Sequence, residues 1–119
     1  MINVLIIGCG GIAGFRHIPA MSQLPNVTLY AVFDGAPGRA DPAIDAVVIC
    51  TPTRSHCDLS VKALEAGKHV LCEKPMAVSA EDARKMIAAA QKSGKKLMIS
   101  HNQRRYDPHR KAKELLDRG

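Results

Sequence analysis

Three small residues at a fixed spacing carry the first chemical signal. Gly8, Gly10 and Ala13 follow four aliphatic residues, Val4-Leu5-Ile6-Ile7, in the order G-x-G-x-x-A. The first glycine of such a motif permits a tight turn, and the second lets backbone approach a pyrophosphate. The small third residue lets helix pack on strand. A helix that starts there offers unpaired N–H groups and a partial positive charge to an anion. A second strand, Val27 to Phe33, then ends at Asp34. That carboxylate stands about 20 residues beyond the turn, where an acid can hold a ribose diol. Strand, glycine turn, helix, strand and acid in this order predict a dinucleotide-binding unit.

The elements that must position these groups follow from periodicity. The run Val4 to Ile7 is apolar at every position, as in a parallel strand buried on both faces. The first helix should run from about Gly11 to Gln23, kinked or divided by Pro19, which removes a backbone donor. Residues 35–44 hold two glycines and two prolines without a helical period and read as a linker. A third strand follows at Ala46 to Cys50. Ser55 is expected to cap a helix reaching about Ala66, with Gly67 as its stop. His69 to Cys72 is a fourth strand. Ser79, with Asp82 in the capping-box position, opens a helix ended by Gly94. Ala83, Met86, Ile87 and Ala90 give that helix an apolar face. Leu97 to Ile99 is a fifth strand, and Asp107-Pro108 open a last, charged helix. The order is that of an open parallel α/β sheet.

At 119 residues the chain is read as one domain, residues 1–119. Its opening apolar run is too short to span a bilayer and lacks the basic flank of a signal peptide, so a cytoplasmic location is expected. Cys9, Cys50, Cys57 and Cys72 show no C-x-x-C spacing and read as reduced packing thiols, with no metal site. The net charge of +6 invites a nucleic-acid reading. An aromatic content of 3% leaves little to stack on bases, and no nucleic-acid motif is present. Solvated faces and attraction for an anionic cofactor account for the charge.

Four passages resemble the N-terminal domain of the glucose–fructose oxidoreductase, inositol dehydrogenase and rhizopine-catabolism (Gfo/Idh/MocA) family. They are Gly8-Cys9-Gly10-Gly11-Ile12-Ala13, Cys50-Thr51-Pro52-Thr53-Arg54-Ser55-His56, Ala66 through Glu73-Lys74-Pro75, and Ser100 through Pro108. The resemblance implies a Rossmann-like domain holding NAD(P) for an oxidoreductase of sugars or polyols. It implies that Gly8, Gly10, Gly11 and Ile12 cradle the pyrophosphate. Asp34 would take the adenosine ribose and favour NAD over NADP, since a 2′-phosphate would meet its charge. Thr51, Pro52 and His56 would line the cofactor groove, joined by Asn102 after the fifth strand. Glu73 and Lys74 would stand near the nicotinamide, with Lys74 assisting proton transfer. The Lys74–Pro75 bond is a candidate cis peptide.

Two departures from that family shape the expectations. The family has a helix, a strand and a further crossover between the acid and the strand near Asp45, where this chain has only a linker. The sheet order 3-2-1-4-5-6 then becomes 2-1-3-4-5, the flavodoxin-like order, with the glycine turn still at the switch point. Ten residues span up to about 33–36 Å, enough to return along a strand of ~17–20 Å. A bare linker leaves sheet face uncovered, so either self-association into a homo-oligomer or a loosened edge near Asp34 is expected. The sequence also stops at Gly119, where the family continues into a substrate domain. A cofactor-binding half that is not catalytically complete alone is the leading expectation. The alternative is a non-catalytic truncated or engineered scaffold with weak or no cofactor binding.

Overall fold

A computed structural model describes residues 1–33 and 41–119. Five parallel strands, β1 (Ile2–Ile7), β2 (Val27–Phe33), β3 (Ala46–Ile49), β4 (His69–Glu73) and β5 (Leu97–Ser100), lie in the order β2-β1-β3-β4-β5. The order is the expected 2-1-3-4-5. The register pairs Ile7 with Ile49 and Ile49 with Cys72, so the carboxyl ends of the three central strands are level. The register of β1 on β2 slips between Val4 and Leu5, where Tyr30 is the extra residue of a bulge.

Two helices cover one face of the sheet, α2 (His56–Glu65) and α3 (Ala80–Ser93). Leu64 and Met86 from these helices are fully buried against Ile7, Ile49, Val70 and Cys72. On the other face Ala13 closes over Val4, Ile6 and Val48, with Ile18 and Met21 packed around them. Complete burial of Ala13 explains the small third residue of the motif: a longer side chain would lift the helix off the strand.

The segment from Gly11 to Gln23 is divided, as Pro19 predicts, although the division takes a specific form. Ala13–His17 is a π-helical turn, and a short α1 (Ile18–Ser22) follows with Pro19 in its first turn. The N–H of Ile18 reaches back to the Ala13 carbonyl, a five-residue step. Widening the helix just ahead of Pro19 adapts the hydrogen-bond ladder to the donor that proline lacks.

The described part of the connection from β2 to β3, Asp41 onwards, is strapped across the amino-terminal edge of the sheet. Asn3 donates from Nδ2 to the Ala43 carbonyl and from its backbone to Asp45 Oδ2, each at 2.8 Å. Lys68 Nζ reaches the Asp41 and Ile44 carbonyls at 3.0 and 2.7 Å. Ile44, nearly buried, joins the core beneath α2 and α3. Hydrogen bonds and one apolar anchor hold this return. The edge strand β2 keeps Tyr30, Val32 and Phe33 exposed among the described residues.

Ser79 accepts the Asp82 N–H and Gly94 adopts the left-handed conformation (φ 65°), so α3 begins and ends as expected. Its buried side is rotated slightly from the expected face. Met86 and Ala89 point inward while Ile87 stays exposed. Ser55 precedes α2, but its side chain caps nothing. Its Oγ lies 2.7 Å from both Thr51 Oγ1 and the Pro52 carbonyl, because a 3₁₀ turn at Thr53–Ser55 winds it back toward the preceding loop. The last helix, α4 (Asp107–Asp117), leaves Leu115 and Leu116 exposed. Side-chain pairs such as Lys111–Glu114 and Lys113–Asp117 run along it. No described helix is long and apolar enough to cross a membrane.

Candidate dinucleotide site

The carboxyl ends of β1, β3, β4 and β5 open on one edge of the sheet, and most of the predicted site residues gather there. Gly8 ends β1 with φ 93°, and its N–H donates to the Phe33 carbonyl at 2.7 Å. A Cβ on Gly8 would stand 2.8 Å from the Cys50 carbonyl group and 2.9 Å from the Thr51 nitrogen. Only glycine lets the turn pass this close to the end of β3. Gly10 is the opposite case. It is exposed, and a Cβ there would meet nothing within 4 Å.

Gly11 and Ile12 are also exposed, and the Gly10 carbonyl takes the Gly14 N–H at 3.1 Å. The N–H groups of Gly10, Gly11 and Ile12 donate to no other described residue. Open space over Gly10, beside amides with no described acceptor, is what a diphosphate seat at this motif requires. Asp34 lies outside the described residues.

At the end of β3, Thr51 is half-buried and Pro52 exposed. His56 sits beneath them at 1% exposure. Its Nε2 is 2.8 Å from the Thr51 carbonyl and its Nδ1 2.8 Å from the Pro75 carbonyl. Both ring nitrogens therefore face protein oxygens, and His56 supports the groove from below by tying the β3 loop to the β4 loop.

Glu73 closes β4 with 8% exposure. Oε1 lies 2.7 Å from His17 Nε2, and Oε2 accepts the Lys74 backbone N–H at 3.1 Å. Burial pushes this carboxyl up. Hydrogen bonds from His17, from the Lys74 backbone and from Ser100 outweigh burial and hold it below the usual glutamate range. The Lys74 side chain is exposed, and the Lys74–Pro75 bond is cis. Asn102 stands in an exposed 3₁₀ turn after β5. It is about three strand spacings, or ~14 Å, from the glycine turn.

The four cysteines are free thiols. Burial pushes Cys50 up to about 12 and Cys72 up to about 11, which leaves both protonated and inert.

His17 is the site residue that the motif reading passed over. Its position carried a usable signal. It follows Ala13 by four residues, so on a helical segment it shares the face that packs against the sheet.

Comparison with known proteins agrees with this geometry. Residues 38–101 match the family model for the Gfo/Idh/MocA oxidoreductase family, NAD-binding Rossmann fold. The chain belongs to this oxidoreductase family. It is 34% identical over 136 residues to the oxidoreductase YrbE of Bacillus subtilis, covering 96% of this chain and 39% of YrbE. It is 37% identical over 123 residues to inositol 2-dehydrogenase of Rhizobium meliloti, covering 87% of this chain and 37% of that enzyme. The fold superposes on KijD10, a 3-ketoreductase from Actinomadura kijaniata in complex with NADP, with a TM-score of 0.90 at 30% identity, covering 99% of this chain and 44% of that chain. The chain thus spans about two fifths of the length of these relatives. The match to YrbE takes 136 positions to cover about 114 residues of this chain, so YrbE carries about 22 more over the same span.

Proposed function

We infer that this chain binds NAD(P), with NAD preferred, as the cofactor half of an oxidoreductase acting on a CH–OH group of a sugar or polyol. The observation that carries the reading is the glycine turn. Gly8 is locked against the end of β3, while Gly10 leaves open space beside amides that donate to no described residue. Asp34 holds the adenosine ribose and sets the preference for NAD. A bound nicotinamide supplies hydride acceptance or donation. The chain's own part is to seat the diphosphate at Gly10, Gly11 and Ile12 and to flank the nicotinamide half with Thr51, Pro52 and Asn102. Glu73 and Lys74 complete the edge, and the exposed Lys74 side chain gives a proton to the substrate oxygen as ammonium or takes one from it as amine. Orientation of that oxygen falls to a separate substrate-binding unit.

Calorimetric titration with NAD and with NADP tests this. Micromolar binding with NAD tighter is the expected result, and no heat at millimolar cofactor overturns it.

One observation favours a second reading. We place the roughly 22 residues that YrbE carries in excess after Asp34, where the family resemblance implies a further helix and strand. Loss of that crossover removes a wall of the adenosine pocket. A non-catalytic scaffold with weak affinity is the outcome if the pocket needs that wall, and the same titration reads it.

A further inference from the structure

His17 and Glu73 are 56 residues apart in sequence and 2.7 Å apart in space. His17 rides on the π-helical turn that follows the phosphate seat, and Glu73 ends the fourth strand beside Lys74. Both side chains are largely buried, at 14% and 10% exposure. The two oxygens of the Glu73 carboxylate are engaged separately, one by His17 and the other by the backbone N–H of Lys74. An ionised carboxylate only accepts, so His17 must present Nε2 as the donor, which fixes its tautomer.

We propose that His17 is a positioning residue for Lys74: it holds the Glu73 carboxylate against the Lys74 backbone, and so ties the placement of Lys74 to the helix that carries the diphosphate seat. This rests on the reading of Lys74 as the proton-transfer group and goes beyond it by naming what sets Lys74 in place.

The linkage has a physical direction. A carboxylate at the end of a central strand loses hydration, and it stays in place only while donors replace that water. The donors are His17 and the Lys74 backbone, and Ser100 stands beside Glu73 in register on β5. The Glu73 charge in turn helps hold the neighbouring Cys50 and Cys72 thiols neutral. His17 is the donor that connects to the glycine turn. Without it, Oε1 is left under-satisfied in a buried site, and the carboxylate rotates toward solvent or takes up a proton. Rotation releases the Lys74 N–H, and protonation weakens its bond by removing the charge on the acceptor.

Amide hydrogen exchange at Lys74, read by NMR in the whole chain, tests the proposal. His17→Phe fills similar space without a donor. It should accelerate Lys74 exchange by about tenfold or more, while the β1 and β3 amides keep their protection. His17→Gln carries an N–H in place of Nε2 and should restore most of that protection. The carbon-13 titration of the Glu73 carboxyl, assigned by Glu73→Gln, should move to higher pH in His17→Phe and return toward the parent value in His17→Gln. Unchanged Lys74 exchange in a folded His17→Phe protein overturns the proposal. So does equal loss of protection in both variants. If His17→Phe fails to fold, the parent against His17→Gln decides, because loss of Lys74 protection there sinks the idea. None of these readings needs cofactor. If the parent chain binds neither NAD nor NADP, the proposed function fails while the positioning role is still decided.

Discussion

A Cβ on Gly8 would lie 2.8 Å from the carbonyl carbon and oxygen of Cys50, closer than side-chain carbons approach backbone. The glycine also sits at φ 93°, where a side chain is strained regardless of space. Gly10, two residues on, has neither constraint. Two glycines of one motif therefore face different constraints: the fold requires Gly8, whereas Gly10 is left open for the binding role proposed for it.

Gly8→Ala should lower stability by about 3 kcal/mol or more, since backbone must move at the junction of β1 and β3. Gly10→Ala should change stability by no more than about 1 kcal/mol, yet weaken NAD binding by roughly tenfold, because its methyl enters the space assigned to the diphosphate. Urea unfolding and calorimetry, run on both variants, check the pair. A Gly10→Ala protein that keeps its cofactor affinity has no diphosphate seat at this turn.

These elements also show how much the sequence disclosed. The five strands were legible because parallel strands are written as short apolar runs, unbroken at Val4–Ile7 and Ala46–Ile49, while their order followed from the family resemblance once its outer strand was removed. Ser79 and Gly94 were legible because a helix cap is a local event. Ser55 looked the same in sequence, but a 3₁₀ turn intervenes and its hydroxyl turns to Thr51 and Pro52. The site was half legible. Glycine spacing located the turn, whereas the partners of Glu73 and His56 come from loops 56 and 19 residues away, which no local pattern announces.

Ser79→Ala removes the hydroxyl that accepts the Asp82 N–H at 3.1 Å. Removing such a cap costs about 1 kcal/mol. Met86 and Ala89 on this helix are core residues, so the loss should appear as a lower midpoint of global thermal unfolding. Fraying of α3 alone, with an unchanged global midpoint, contradicts that coupling.

Glu73 sets an acid limit on stability. Its folded carboxyl lies below the reference value of 4.5, so the folded state prefers the ionised form. The stabilisation is present above about pH 4.5 and is lost as pH falls through the folded value. Asp41 adds a slope of the same sign, held down by the Ala43 N–H and the Tyr30 hydroxyl. Stability followed from about pH 5 to about pH 2 should therefore fall. Glu73→Gln should be less stable at neutral pH and show a flatter acid limb. An identical limb in the variant contradicts the assignment.

His56 offers the sharpest test of how the groove is supported. Its imidazole bridges the Thr51 and Pro75 carbonyls at 2.8 Å each, inside the protein. His56→Leu keeps similar bulk and removes both nitrogens, so the carbonyl that accepts the imidazole N–H loses a donor that water cannot readily replace, and the other loses its neighbour. The cost should be about 2–4 kcal/mol. Its location is more telling than its size. Because the two carbonyls belong to loops at the ends of β3 and β4, amide exchange should rise around residues 51–56 and 74–77. The level central register of β1, β3 and β4 should stay protected. Exchange rising evenly over the whole sheet would make His56 a core-packing residue and nothing more. Local loosening, with weaker NAD binding beside it, would mean that the floor of the groove is held by this one ring.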